Sequence, residues 1–426
     1  MASNSKNIAE LLESDGDVIT AALDNIVVTP TAVSDQANTS TGGLTLPAGT
    51  TAQRPGSPDT GESRFNSTTG SLEYYTGSAW TSTNLIPNIS SISGTINNAY
   101  ASNLVFAVTN NTSTVDVVFS EGGTAFHTVS GQSVSSGAFT LATPSQVYGQ
   151  TTGDTISVSI KNSDGTPSGN AVTKTVIAAP TGGTITTYGS YRVHTFLSTA
   201  NFVAAATLTT DVLAVAGGGG GGAASGGDGG GGGAGGMLVS SGFSVSAGTY
   251  SVTVGGGGAG STSGAAGSNG ANSVFSSLTA IGGGGGSSGG NNANSGGSGG
   301  APGSNGSNQG SARSGTSGQG NDGFRDNAGE GTGGGGAGAT GATNGDGGAG
   351  LANAFRTGSN ITYAGGGGGG RDGRSASGGT GGGGNGSTST SSSAGATNTG
   401  GGGGASGGSA NGRAGGSGIV VIRYAV

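Results

Sequence analysis

The sequence predicts a mostly β, multi-domain protein, in which a β-sandwich spacer is followed by a β-framework carrying packed polyglycine II helices. Three observations lead there. Apolar strands run straight into glycine at "DVLAVAGGGGGG" (211–222), "YSVTVGGGGAG" (250–260), "LTAIGGGGG" (278–286) and "ITYAGGGGGG" (361–370). Upstream, short apolar-alternating stretches are separated by Gly, Asn, Ser and Asp turns, the pattern of successive short strands. Finally, 102 of the 426 residues are Gly, mostly beyond Gly217, yet only 8% are charged, which argues against an ordinary disordered chain.

The elements follow in order. In "SKNIAELLES" (5–14), Ile8, Leu11 and Leu12 share one helical face, with Ser5 placed as N-cap and Gly16 as a stop. A short amphipathic helix fits, and so does a frayed tail. Residues 1–50 are read as an N-terminal attachment segment. In 51–84 the informative piece is "RFNSTTGSLEYYTGSAW" (64–80), where Phe65, Leu72, Tyr74 and Trp80 are strand-type residues between turn-type ones. It reads as small hairpins with aromatic cross-strand contacts. Residues 85–180 hold "NLVFAVTN", "TVDVVFSE", "AFHTVSG", "GAFTLATP" and "DTISVSIKN", a small β-sandwich by spacing. Pro180 marks the boundary to the last unit, 181–426, which opens with "YRVHTFLSTANFV" and closes with "GIVVIRYAV". A flexible glycine tail has no use for Ile419, Val420, Val421, Ile422 and Tyr424. Those residues want a sheet.

Glycine runs between such strands have few structured options. Collagen needs Gly at every third place with abundant Pro; "GGAPGSNGSN" holds that period only to Gly306. A calcium-binding β-helix needs a repeated Gly-Gly-x-Gly-x-Asp nonapeptide, and the Asp residues beyond Gly217 form none. Polyglycine II remains. Its backbone has three residues per turn and no internal hydrogen bonds, so its N–H and C=O groups must find partners on neighbouring segments. Six glycines span about 19 Å at that rise. Ordering a glycine costs roughly 1–2 kcal/mol, while each backbone hydrogen bond returns only about 0.5–1.5 kcal/mol. Such a lattice needs an apolar anchor, and the strand before each run supplies it. Ser, Asn and Ala interruptions are expected on outer helices or in loops.

Three resemblances rest on these residues. "QRPGSPDTGE" with "RFNSTTGSLEYYTGSAW" is similar to modules in tail fibres and other virion appendages of tailed bacteriophages, and "NIAELL" with the following "DG" resembles the start of many virion proteins. "PNISSISG" and "VSIKNSDGTPS" resemble an immunoglobulin-like fold of the IPT/TIG type. The last unit resembles the glycine-rich domain at the distal end of phage tail-fibre adhesins, through His194–Phe196, Phe202, Leu213–Gly222 and Gly418–Tyr424. That resemblance implies a sandwich of polyglycine helices whose free-end loops contact a bacterial receptor. The partners it implies are a host surface glycan or outer-membrane protein, and other virion proteins through the N-terminus. Homotrimers are common in fibres, and a monomeric cap fits equally. A decoration protein on capsid or tail, without receptor specificity, is the alternative reading.

Other function classes find little support. No apolar h-region opens the chain and no run of about 18 apolar residues occurs, so neither a signal peptide nor membrane insertion is expected. Cysteine is absent, so disulfides and Cys zinc sites are too. The net charge is −7; residues 301–426 hold seven Arg and five acids, too weakly basic for a nucleic-acid footprint. A P-loop fails because no Lys follows Lys174, and "GGSGG" (296–300) lacks the strand–turn–helix of a nucleophile elbow. His127 and His194 fall in different predicted domains and read as strand side chains. No cofactor and no catalysis are expected.

Candidate binding residues sit on non-glycine islands: Phe324 and Arg325 in "GNDGFRDNAGEG", Phe355 and Arg356 in "LANAFRTGSN", Arg371 and Arg374 in "RDGRS". Aromatic rings stack on sugar faces, and Arg forms bidentate bonds to phosphate or carboxylate. For Phe355, with Leu351 and Tyr363, plugging the base of the glycine sandwich is the competing role.

Overall fold

The computed structural model describes residues 46–426, apart from 69–70, 83–85, 112, 164, 166, 225–226, 263, 307, 327–328, 372–373 and 389–390 and the side chains of Ser82, Arg371 and Arg374. The expected N-terminal helix and most of the attachment segment lie outside the described residues. The protein is mostly β and multi-domain. It divides into two compact units, one containing Met1–Pro87 and the other nearly all of the rest.

The first unit is a four-stranded sheet of Ala48–Gly49, Ser63–Asn66, Ser71–Tyr75 and Trp80–Ser82, in that order. Phe65 faces Leu72 across the first hairpin, and the Tyr75 and Trp80 rings meet at 5.7 Å, the aromatic contact expected. The buried face of this sheet is the polar one. Asn66 and Glu73 are fully buried and Arg64 nearly so, while Phe65, Leu72 and Tyr74 are exposed. The buried face is held by charge: Arg54 meets Glu73 at 2.6 Å, and the Asn66 amide donates to Glu73 at 2.9 Å. The bond from Arg54 is the main cause that holds Glu73 below its ordinary carboxylate value, against the opposing cost of burial.

The second unit begins with a two-sheet sandwich. Asn88–Ser93, Asn103–Thr109 and Ala138–Ala142 form one sheet; Ile96–Asn97, Val172–Ile177, Thr155–Asn162, Thr114–Glu121 and Thr124–Ser133 form the other. Strict alternation builds the core: Leu104, Phe106 and Val108 point in while Asn103 and Val105 point out. Phe106 stacks on Phe139 at 4.5 Å. His127 lies on a strand beside Phe119.

The framework of the glycine-rich part is a second pair of sheets. Five antiparallel strands run in the order Thr184–Tyr188, Tyr191–Phe196, Ile419–Ala425, Leu208–Val215, Met237–Val245. A four-stranded sheet packs on it, made of Ala200–Ala204, Gly248–Thr253, Ser273–Phe275 and Leu278–Ala280. The closing strand is central, and both its faces are buried. Val420, Ile422 and Tyr424 enter one core with Phe196, Phe202 and Phe275. Ile419 and Val421 enter another with Val193, Leu213, Val215 and Tyr363. A central strand reads as continuous apolar sequence for this reason.

The glycine runs pack as a backbone lattice. Gly217 and Gly220 donate to Ala271 and Ser268 at 3.0 and 2.9 Å. Gly218 and Gly221 donate to Gly416 and Arg413 at 3.0 and 2.8 Å, and Gly219 and Gly222 to Gly233 and Gly230 at 2.8 and 2.9 Å. The partner changes at each residue and returns at every third, as three residues per turn require. The carbonyls follow suit, accepting from Gly283 and Gly286, from Gly258 and Ser261, and from Gly403 and Ser406. Six segments therefore surround one run: three antiparallel ones accept from its N–H groups and three parallel ones donate to its C=O groups. The sequence places the interruptions on outer helices or in loops, but they are not confined there. Ala234, Ser298, Ala301 and Ala405 are fully buried. Ala234 shows one reason, because its methyl joins the apolar cluster where a run meets the framework.

Candidate functional site

Hydrogen-bond register sorts the candidate residues between the two ends of the lattice. The run 217–222 leaves the framework at Val215, so Gly222 marks the far end, where Ser406 donates to it. Gly229 donates to Ser406, and Gly370 donates to Gly229, so all three lie at that far end. A Cβ on Gly331 would touch the carbonyls of Gly370 and Gly229, which places Gly331 there too. Phe324 donates its N–H to Gly333, two residues along, so Arg325 follows at the same end. The hairpin of Gly370–Arg371 and Arg374–Ser375 sits there as well, with Arg371 directly opposite Arg374.

Arg325 is exposed and Phe324 half-buried. Phe324 is tied down by its backbone, since its carbonyl accepts from the Thr332 hydroxyl at 2.7 Å. Chemically this end offers the Arg325 side chain and the Phe324 ring on short turns, with acids beside them. Asp326 and Glu330 share it, which dilutes the Arg excess counted along the sequence.

Phe355 and Arg356 are at the opposite, framework end. They belong to the turn 354–360, which links the paired strands Leu351–Asn353 and Ile361–Tyr363. Tyr188 donates toward the carbonyls of Ala354 and Phe355. The Arg423 guanidinium lies between two rings, 4.0 Å from Phe355 and 4.2 Å from Tyr191, and pairs with Asp211 at 2.9 Å. Phe355 therefore plugs the base together with the buried Tyr363, while Leu351, named beside them, is 46% exposed. Arg356 borders a small cavity next to the framework. The six candidates thus form two groups, Phe324, Arg325, Arg371 and Arg374 far from the strands and Phe355 and Arg356 against them.

His194 is buried within the framework. Its Nδ1 lies 2.7 Å from the Gly182 carbonyl and its Nε2 3.2 Å from the Tyr424 hydroxyl. A carbonyl only accepts, so Nδ1 carries the proton and Nε2 accepts from Tyr424. Burial lowers the imidazole to about 4, so it is neutral at neutral pH. This is a packing role.

Side-chain amides cap the outer rows of the lattice. Asn269 and Asn272, three residues apart, accept the N–H groups of Gly285 and Gly282 at 3.0 and 2.8 Å through their side-chain oxygens. Sequence reasoning missed this role, although the three-residue Asn spacing before a strand is its signal.

The architecture is that of a glycine-rich β protein, with backbone-bonded glycine runs standing on a strand framework. The family model for the glycine-rich domain matches residues 193–425, and the chain belongs to that family. No curated protein matches the chain.

Proposed function

We propose that this chain is a fibre or fibre-tip protein of a bacteriophage virion, and that the far end of its glycine lattice binds a host-cell surface component. One observation carries this reading. Backbone hydrogen bonds on all sides hold the runs, and their turns, including those with Arg325, Arg371 and Arg374, meet at one end. A binding surface built on short turns over a stiff scaffold loses little freedom on binding. The phage-like hairpin module at 51–84 and the glycine-rich domain family supply the context. The chain attaches to the virion through its N-terminal part, and the sandwich acts as spacer.

The test is adsorption competition. Purified full-length protein should block phage adsorption to susceptible cells. Arg325→Ala and Phe324→Ala should weaken that block without lowering the melting temperature, whereas Arg423→Ala should lower it. Contacts that survive about 0.15 M salt must be close ones, because charges more than about 8 Å apart are largely screened there. Wild-type protein that leaves adsorption untouched would point to decoration instead. Arg325→Ala and Phe324→Ala variants that block as well as wild type would move the binding surface elsewhere.

A further inference from the structure

A cavity of about 290 Å³ opens at the framework end, lined by Thr184, Thr186, Thr195, Leu197, Arg356 and Thr357. Its size is at the lower limit for small-ligand pockets. Thr184 and Thr195 face each other across paired strands, and Thr186 follows on the same side. Among the described residues, the hydroxyls of Thr184, Thr186 and Thr195 make no hydrogen bond. Arg356 forms no ion pair among the described residues either; it lies beside the buried Tyr363 phenol. The turn that carries it is fixed by Tyr188 and by the Phe355 ring on Arg423, so the backbone of Arg356 is set beside the cavity before any ligand arrives.

We infer that this cavity is a second binding site, for the carboxylated sugar unit of an acidic glycan, with Arg356 pairing the carboxylate and the threonine hydroxyls bonding the ring hydroxyls. Arg356 is the one basic residue among those lining the cavity, and a single guanidinium matches one carboxylate better than a multiply charged phosphate ester. Three free hydroxyls on one wall match a polyol, since each can donate or accept. Leu197, 41% exposed, offers an apolar contact for the C–H face of the ring. The site is separate from the far end of the lattice and does not depend on that end binding a receptor.

The probes are D-glucuronate and D-glucose, titrated into the full-length protein by calorimetry or ligand-observed NMR. Wild type should bind glucuronate in the millimolar range and glucose about tenfold more weakly, the loss expected for one charge-assisted contact. Arg356→Gln should bring glucuronate down to the level of glucose at an unchanged melting temperature. Thr186→Val should weaken both sugars, and Arg325→Ala should change neither. The site is refuted if wild type binds neither sugar, if it binds both equally, or if a folded Arg356→Gln keeps the preference. It is also refuted if Arg325→Ala abolishes the binding.

Discussion

At Gly219 a Cβ would lie 2.2 Å from the Gly284 carbonyl oxygen, and at Gly367 it would lie 2.1 Å from that of Gly403. Neither neighbour is the end of a flexible side chain; both are backbone held in the lattice. Gly219→Val and Gly367→Val should each cost about 3 kcal/mol or more, a fall of roughly 6–12 °C in melting temperature for a domain of this size. Differential scanning calorimetry reads this directly. Ser298→Ala is the control, because the Ser298 hydroxyl is buried with no hydrogen-bond partner. Its removal should leave stability unchanged or slightly raised. His194 makes a second prediction at this scale. Its folded value of about 4 lies below its ordinary 6.5, so the unfolded chain binds the extra proton between those values. Its contribution is complete above pH 6.5 and is lost as pH falls toward 4. The loss is about 3 kcal/mol for such a buried group. Melting curves of His194→Gln should be flatter than wild type across that window.

Among the elements, the glycine run stands or falls with its edges. Interior runs find backbone partners on every side, whereas the outer face of 282–287 relies on Asn269 and Asn272. Replacing both with Ala leaves two buried N–H groups to find water, at about 1 kcal/mol each. Amide exchange at Gly282 and Gly285 should speed up while the interior run 217–222 stays protected. Strand and glycine were legible together at this scale because each run begins where an apolar alternation ends, as at Val215. The sandwich strands were legible too, from period-two burial such as Leu104, Phe106 and Val108. The buried face of the first unit's sheet was not. Phe65, Leu72 and Tyr74 read as strand residues, but the sequence does not show that the opposite face, with Glu73 held by Arg54 and Asn66, is the buried one. The alternation is present, but it puts polar residues on the buried side, and periodicity alone does not say which side is buried.

For the whole molecule, the arrangement separates two ends that sequence cannot distinguish. Phe324–Arg325 and Phe355–Arg356 are the same dipeptide between glycines, yet one lies at the far end of the lattice and the other under the framework. The difference is set by Arg423 and Tyr188, remote in sequence, which receive Phe355 and its turn. The glycine runs are an ordered, hydrogen-bonded body rather than linkers. Residue-resolved hydrogen exchange on the full-length protein tests it most directly. The amides of Gly217–Gly222 should exchange about as slowly as those of the closing strand Ile419–Ala425, since both open only when the domain unfolds. Exchange of Gly217–Gly222 at the rate of an unstructured peptide, beside a protected closing strand, would contradict the lattice and every function built on it.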